Sequence, residues 1–524
     1  MNMAMKAFLS KMDSSPVLCF SVLAVLSALF LFIASPYTSP SNPCCMGDAA
    51  VYFVMGKGLV QGLIPYRDLF DHKGILLYFI YAAGELLAPG KTGVFILQTL
   101  NLTILLWAVY RTCRLFLNPV PSCWCLGLLL FFMVGCMVGG GLVEEWSLSW
   151  SMVALYLVIR HLTRHAAASS LSGWVWAFLG LSLGAHFLLK VTNAPTICGL
   201  LMAVALMTLY ERKYRALGRG LVLTCLGAGA MLLPFLAFLS YTDSLDDFIR
   251  CYLEFNSAYA AHGVAQKGVQ EIINMLMNLS SLPVLLLTGL YLVKREALSL
   301  QALLCVLAVA GSTAVFLIPG NDYHNYYMNY MPTVVCVLLF GAKTLMLCTH
   351  RKMAGAGFAA ALLLNIHFLA ASVNFLLVGL CIWLVPCSPA IIQQPWYSGK
   401  AFREIYEKSG RGSLMCYGPP SSLYLYMGLL PGYKYFFIPP SLSVIDPEME
   451  RTIDNYFEGT SAPEWVVIPH TARDEIEEIA SLPGHKAKIY LAERCKRVAC
   501  GPAISSPLGR RQGGDVFSLY RRVR

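Results

Sequence analysis

Apolar runs of near-constant length recur along this chain, and the short stretches between them hold most of its charge. About 20 apolar residues in an α-helix cross the hydrocarbon of a bilayer. The runs predict eleven spanning helices, over 17–35, 93–110, 122–141, 146–160, 173–189, 193–210, 219–240, 273–293, 298–318, 327–347 and 354–385. Segment 75–88 is apolar too, but it is short and carries Glu85, so it is read as lying in the interface or re-entering it. From about Cys387 the pattern changes. Short apolar runs ("SLMCYGPP", "YKYFFIPP", "EWVVIPH", "KIYLAE", "FSLYRR") alternate with Pro/Gly turns around one charged helical stretch, "TARDEIEEIASLP". The expected organisation is therefore a polytopic, all-α transmembrane domain over 1–386 and a small α/β domain over 387–524.

Composition sharpens this reading. The chain is 57% hydrophobic and 13% charged, about half the charge of a typical soluble domain. Its net charge of +10 is thus first a matter of membrane side, not of nucleic acid. With segment 75–88 left out of the span count, the inner loops hold Lys6, Lys11, Arg111, Arg114, Arg160, Arg164, Arg212, Lys213, Arg215, Arg219, Lys294, Arg295, Lys343, Arg351 and Lys352. They hold three carboxylates, Asp13, Glu211 and Glu296. The outer segments before residue 387 hold seven Lys or Arg and twelve Asp or Glu. This asymmetry places the N-terminus in the cytoplasm and residues 387–524 outside. Most of the eighteen cysteines lie inside apolar runs, where Cys acts as a small hydrophobe, and none has metal-site spacing.

The candidate chemistry then falls on one side. The stretch from Gly47 to Gly74 holds Asp48, Arg67, Asp68, Asp71, His72 and Lys73 among glycines, prolines and aromatics. Glu144 and Glu145 follow a Gly-rich turn, Lys190 lies between two spans, and "PGNDYHNYY" brings Asp322, His324 and Tyr327. Charges at a membrane boundary are costly unless they meet water, each other or a ligand. Carboxylates can take a proton from a hydroxyl, and Lys, Arg and His can hold phosphate. Those are the parts needed to transfer a sugar from a lipid phosphate. Each has a structural rival. Lys190 can snorkel, Glu144 and Glu145 can cap a helix, Asp48 can be an N-cap, and Tyr323, Tyr326 and Tyr327 fit an aromatic belt.

The stretches "G…PYRDLFDHKG", Glu144–Glu145, Lys190, "DYHNYYMNYMP" and the tail motifs "YGPPSSLYLYMGLLPGYKYFF" and "PEWVVIP" together resemble the GT-C glycosyltransferases. The closer likeness is to bacterial family 39-like enzymes, related to the lipid A aminoarabinose transferase and the protein O-mannosyltransferases. The resemblance implies an inverting transfer from a polyprenyl-phosphate sugar to a lipid, glycan or protein acceptor of the cell envelope. It implies the outer face of a bacterial cytoplasmic membrane. By position, Asp48 would be the base, with Glu144 or Glu145 as a second catalytic acid residue. Arg67, Asp71, His72, Lys73, Lys190, Asp322, His324 and Tyr327 would bind substrate. No cofactor is implied, and a divalent metal is left open. The family often has paired prolines after the first-loop Lys, whereas here Gly74 and Ile75 follow Lys73. The alternatives are a transporter or flippase of lipid-linked glycans, and a non-catalytic membrane assembly subunit.

Overall fold

The computed structural model describes residues 3–43, 45–165, 167–265, 268, 281–317, 323–348, 373, 394–417, 421–437, 445–469, 475–480, 482, 485–500 and 517–523. The first ten helices are α1 (Met3–Ser14), α2 (Pro16–Ala34), α3 (Gly47–Val60), α4 (Ile75–Leu87), α5 (Lys91–Cys113), α6 (Pro119–Met137), α7 (Val143–Arg164), α8 (Gly173–Leu189), α9 (Pro195–Tyr210) and α10 (Tyr214–Tyr241). A broken helix follows, Leu245–Phe248, a wide turn Ile249–Glu254, and Phe255–Ala265. Then come Ser281–Lys294, Leu300–Leu317, a tight turn of helix His324–Tyr330, and Met331–Leu347.

Among the described residues six helices are long and apolar enough to cross a membrane: α2, α5, α6, α10, Leu300–Leu317 and His324–Leu347. The chain is a multi-pass membrane protein. The expected spans up to 327–347 all fall on helices. That over 273–293 is described from Ser281 on, and that over 354–385 lies outside the described residues. Local sequence sets the ends. Ser15 caps α2, its side chain accepting from the Leu18 N–H, and Pro16 needs no partner at the first turn. Helix α7 is longer than the expected 146–160, because its ends carry Glu144 and Glu145 in the first turn and His161 and Arg164 in the last, which hydropathy reads as loop. At the far end of α5, Arg114 clamps α1 through two bonds to Asp13, at 2.9 and 2.6 Å.

Two hydrophobic clusters result. One runs through α2, α5, α6, α7, α9 and the helices after residue 281. The other joins α3, α4, the C-terminal end of α8 and residues 248–255 to the C-terminal region. That region carries a four-stranded sheet of β1 (Leu414–Cys416), β2 (Trp465–Pro469), β3 (Cys495–Cys500) and β4 (Phe517–Arg522). Its order is β1-β2-β4-β3, with β1 parallel to β2 and the other pairs antiparallel. The sheet region is tied to the helices by polar contacts as well. Phe70 N–H donates to Lys434 O at 2.8 Å, the Tyr426 hydroxyl bonds Cys45, and Lys434 pairs with Asp247 at 2.6 Å.

Candidate functional site

The loop after α3 folds its charges inward. The Tyr66 hydroxyl donates to Lys73 O at 2.7 Å, and the Tyr78 hydroxyl to Asp71 Oδ2 at 2.9 Å. The His72 N–H donates to Asp71 Oδ1 at 2.7 Å, and Asn256 Nδ2 to His72 O, also at 2.7 Å. Gly74 closes the loop against α8. Its N–H donates to Leu189 O at 2.9 Å, and a Cβ there would overlap the Leu188 carbonyl. This explains the departure from the paired prolines of the resembled family, since proline has neither the N–H nor the room.

Thus held, Asp71 and Lys73 are buried, with 2% and 6% exposure. Burial pushes the Asp71 carboxyl above its ordinary value, although Lys73 pulls it down. Burial, and then the Lys73 and Lys190 charges, hold His72 well below 6.5, so the ring is neutral at pH 7. Lys73 Nζ donates to His72 Nε2 at 2.7 Å, which assigns the ring proton to Nδ1. That Nδ1 is buried without a hydrogen-bond partner, 3.4 Å from Asp71 Oδ1.

These groups line a cavity of about 370 Å³ together with Asp48, Tyr52, Lys190, Tyr259, Asn325 and Tyr326. Asp48 is exposed to it from the first turn of α3. The N-cap there is Met46, with no side-chain cap bond, so Asp48 is not the cap that its sequence position allows. Its Oδ2 instead accepts from the Tyr52 hydroxyl at 3.1 Å.

Lys190 extends from the end of α8. Its Nζ lies 2.7 Å from Glu144 Oε1 and 4.0 Å from the centre of the Tyr326 ring. The other oxygen, Glu144 Oε2, is buried with no hydrogen-bond partner. Glu145 points elsewhere. It accepts from Leu142 N–H at 2.9 Å and from Gln98 Nε2, part of a buried network that continues to Ser35 and Thr38. Of the two glutamates, Glu144 pairs with the cavity-lining Lys190 and Glu145 pins the turn before α7.

A second cavity of about 480 Å³ adjoins the first. Phe187, Val191, Pro195, Leu253, Phe316 and Leu317 make it largely apolar. The two share His72, Lys190, Tyr259 and Tyr326.

The remaining sequence candidates lie apart or are not described. Arg67 is exposed, bonding Asp68 and Thr242 O, and lines neither cavity. His324 is exposed and lines neither, and Tyr327 is buried in the helical core. Asp322 lies outside the described residues. Tyr326, Tyr259, Tyr52 and Asn256 were not singled out by sequence as site residues. The first had only an aromatic-belt signature, and the others sit in apolar helical stretches with no signal of their own. Among the described residues, no three His, Cys, Asp or Glu side chains are grouped to hold a metal ion.

No protein-family model matches the sequence, and no curated protein sequence matches it. Solved structures do match. ArnT from Cupriavidus metallidurans, the lipid A aminoarabinose transferase, bound to undecaprenyl phosphate, aligns with a TM-score of 0.58 and 12% identity over 96% of this chain and 97% of its own. Its apo state gives 0.57 and 12% over 97% and 98%. The archaeal oligosaccharyltransferase AglB from Archaeoglobus fulgidus, in complex with an inhibitory peptide and a dolichol-phosphate, gives 0.46 and 12% over 96% of this chain and 74% of its own. The alignment with ArnT runs along nearly the whole of both chains, so this chain has a GT-C fold.

Proposed function

We propose that the chain is a membrane glycosyltransferase that moves a sugar from a polyprenyl-phosphate donor to a lipid, glycan or protein acceptor of the cell envelope. The reaction takes place at the outer face of a bacterial cytoplasmic membrane, with residues 387–524 as an extracytoplasmic domain. The observation that carries this reading is the pair of adjoining cavities, one polar and one apolar, that meet at His72, Lys190, Tyr259 and Tyr326. A polyprenyl-phosphate sugar has the same division, with an apolar tail, an anionic joint and a polar head. ArnT, which shares the fold, was solved with undecaprenyl phosphate bound.

In this reading the tail enters the apolar cavity and the phosphate sits at the junction, facing Lys190 and Lys73. The glycosyl group then lies in the polar cavity beside Asp48. The acceptor hydroxyl oxygen bonds to the anomeric carbon while its proton passes to the Asp48 carboxylate. The anomeric carbon–oxygen bond to phosphate breaks, and its electron pair leaves with the polyprenyl phosphate. One displacement inverts the anomeric centre. Phosphate leaves without a general acid because preorganised cations offset its charge, unlike the paired carboxylates of most glycoside hydrolases. Glu144 fixes Lys190 in place, and its unpaired oxygen makes it the next candidate base.

Titration of the purified protein with undecaprenyl phosphate tests the site. Lys190→Ala and Lys73→Ala should each weaken binding by about tenfold or more, the scale of a charge-assisted contact. Wild-type affinity in both folded variants would reject the phosphate site.

A further inference from the structure

One wall of the polar cavity has no part in that reaction. Tyr37 and Val138 line it and do not line the apolar cavity. Val138 ends α6 with φ 45° and ψ 41°, in the left-handed region. A β-branched residue is a true outlier there, whereas Gly or Asn enters without strain. The three residues that follow, Gly139, Gly140 and Gly141, also have positive φ, at 94°, 85° and 81°. They are crowded as well, since a Cβ on Gly139 would overlap the Tyr37 ring and one on Gly140 would overlap Ser35. The turn thus uses glycine where geometry asks for it, except at its first position. Val138 is 40% exposed, so burial does not account for a side chain that strains its own backbone. Strain of this kind is retained where the side chain serves the site.

We infer that Val138 is a specificity-determining residue: with Tyr37 it forms the wall that the donor's glycosyl group meets, and it limits the size of that group. The inference rests on the donor reading given above. A phosphate at the His72–Lys190 junction directs the attached sugar into the part of the polar cavity that the apolar one does not share, past Asp48 and toward Tyr37 and Val138. An apolar wall there discriminates by bulk, as between a pentose and a hexose that differ by one hydroxymethyl group.

The test titrates wild type, Val138→Gly and Val138→Asn with three lipids: undecaprenyl phosphate, and undecaprenyl phosphate carrying a pentose or a hexose. Wild type should favour the pentosyl lipid by about tenfold or more, the scale of one carbon unit in a fitted pocket. Both variants should unfold at a higher temperature than wild type, because both fit the left-handed region. Val138→Asn, similar in bulk, should keep the preference, and Val138→Gly should lose it. Affinity for undecaprenyl phosphate itself should not change in either. Equal binding of the two sugar lipids by wild type, a preference retained by the Gly variant, or its loss in both variants alike would overturn the inference and leave the donor site standing. Wild type that binds none of the three lipids would overturn the donor site, and the inference with it.

Discussion

Adjacent residues on a helix point about 100° apart, and that angle decides several roles at this site. Sequence offers Glu144 and Glu145 as equals. The structure sends the first to Lys190 and the second to Leu142 N–H and Gln98. In the same way it brings Tyr326, not Tyr327, to Lys190. Nothing in the composition of either pair carries that information, whereas the inward-turned Asp71–His72–Lys73 run is visible as charge in an apolar setting. Asp48 is the sharpest case for a test. Asn at this position keeps an oxygen to accept from Tyr52 but cannot take a proton. Asp48→Asn should therefore fold as wild type and lose on the order of 10²-fold or more in turnover with a polyprenyl-phosphate sugar. Near-normal turnover would move the base to Glu144. His72 gives a second test, through pH. Its folded value lies well below 6.5, so the unfolded chain takes up a proton near that pH while the folded one does not. Acid therefore favours unfolding through this group, and stability falls as pH drops below about 6.5. Asp71 acts in the opposite sense, because its raised folded value makes the folded chain protonate first. The fall in unfolding temperature between about pH 7 and pH 5 should be shallower in His72→Gln than in wild type. Equal slopes in the two proteins would contradict the buried, neutral imidazole.

At the level of elements, hydropathy locates the helices well because burial in lipid depends on length and apolarity, which a sequence displays directly. It does not display the joints. The turn before α7 depends on Glu145, on three glycines with positive φ, and on a network reaching Gln98, Ser35 and Thr38. The partners in that network lie far apart in the chain, and no local pattern links them. The two glutamates should accordingly separate by readout. Glu145→Ala leaves buried donors without an acceptor, and it should cost about 1–3 kcal/mol of stability while sparing the turnover of the folded fraction. Glu144→Gln should instead reduce affinity for undecaprenyl phosphate, because Lys190 loses the carboxylate that positions it. Thermal unfolding measured beside lipid titration distinguishes the two. A Glu145 variant of full stability and low turnover would reverse the assignment.

At the level of the whole molecule, α7 measures the distance between two faces. From Glu144 to Arg164 it rises about 30 Å, the thickness of the hydrocarbon of a bilayer. If the cavity end faces outward, reporters fused at Arg164 and at Gly412 should read opposite sides, with Arg164 in the cytoplasm. A cytoplasmic signal at Gly412 would refute the orientation. Strands β1, β2 and β4 coincide with the short apolar runs "SLMCYGPP", "EWVVIPH" and "FSLYRR", whereas "KIYLAE" lies in the helix His485–Arg494 and β3 had no run of its own. The strand order was not legible, since pairing between distant strands leaves no mark on either one. That order matters beyond shape. The strand β4 lies between β2 and β3, yet it follows both in the chain. The buried Trp465 and the contacts through Tyr426 and Lys434 belong to a region whose central strand is synthesised after its neighbours. The stretch bearing Asp48, Asp71 and Lys73 is therefore synthesised long before the sheet region that shares its hydrophobic cluster can close. Until β4 emerges, β2 and β3 lack the strand between them, and Lys434, whose carbonyl accepts from the Phe70 N–H, belongs to a region whose sheet is still open.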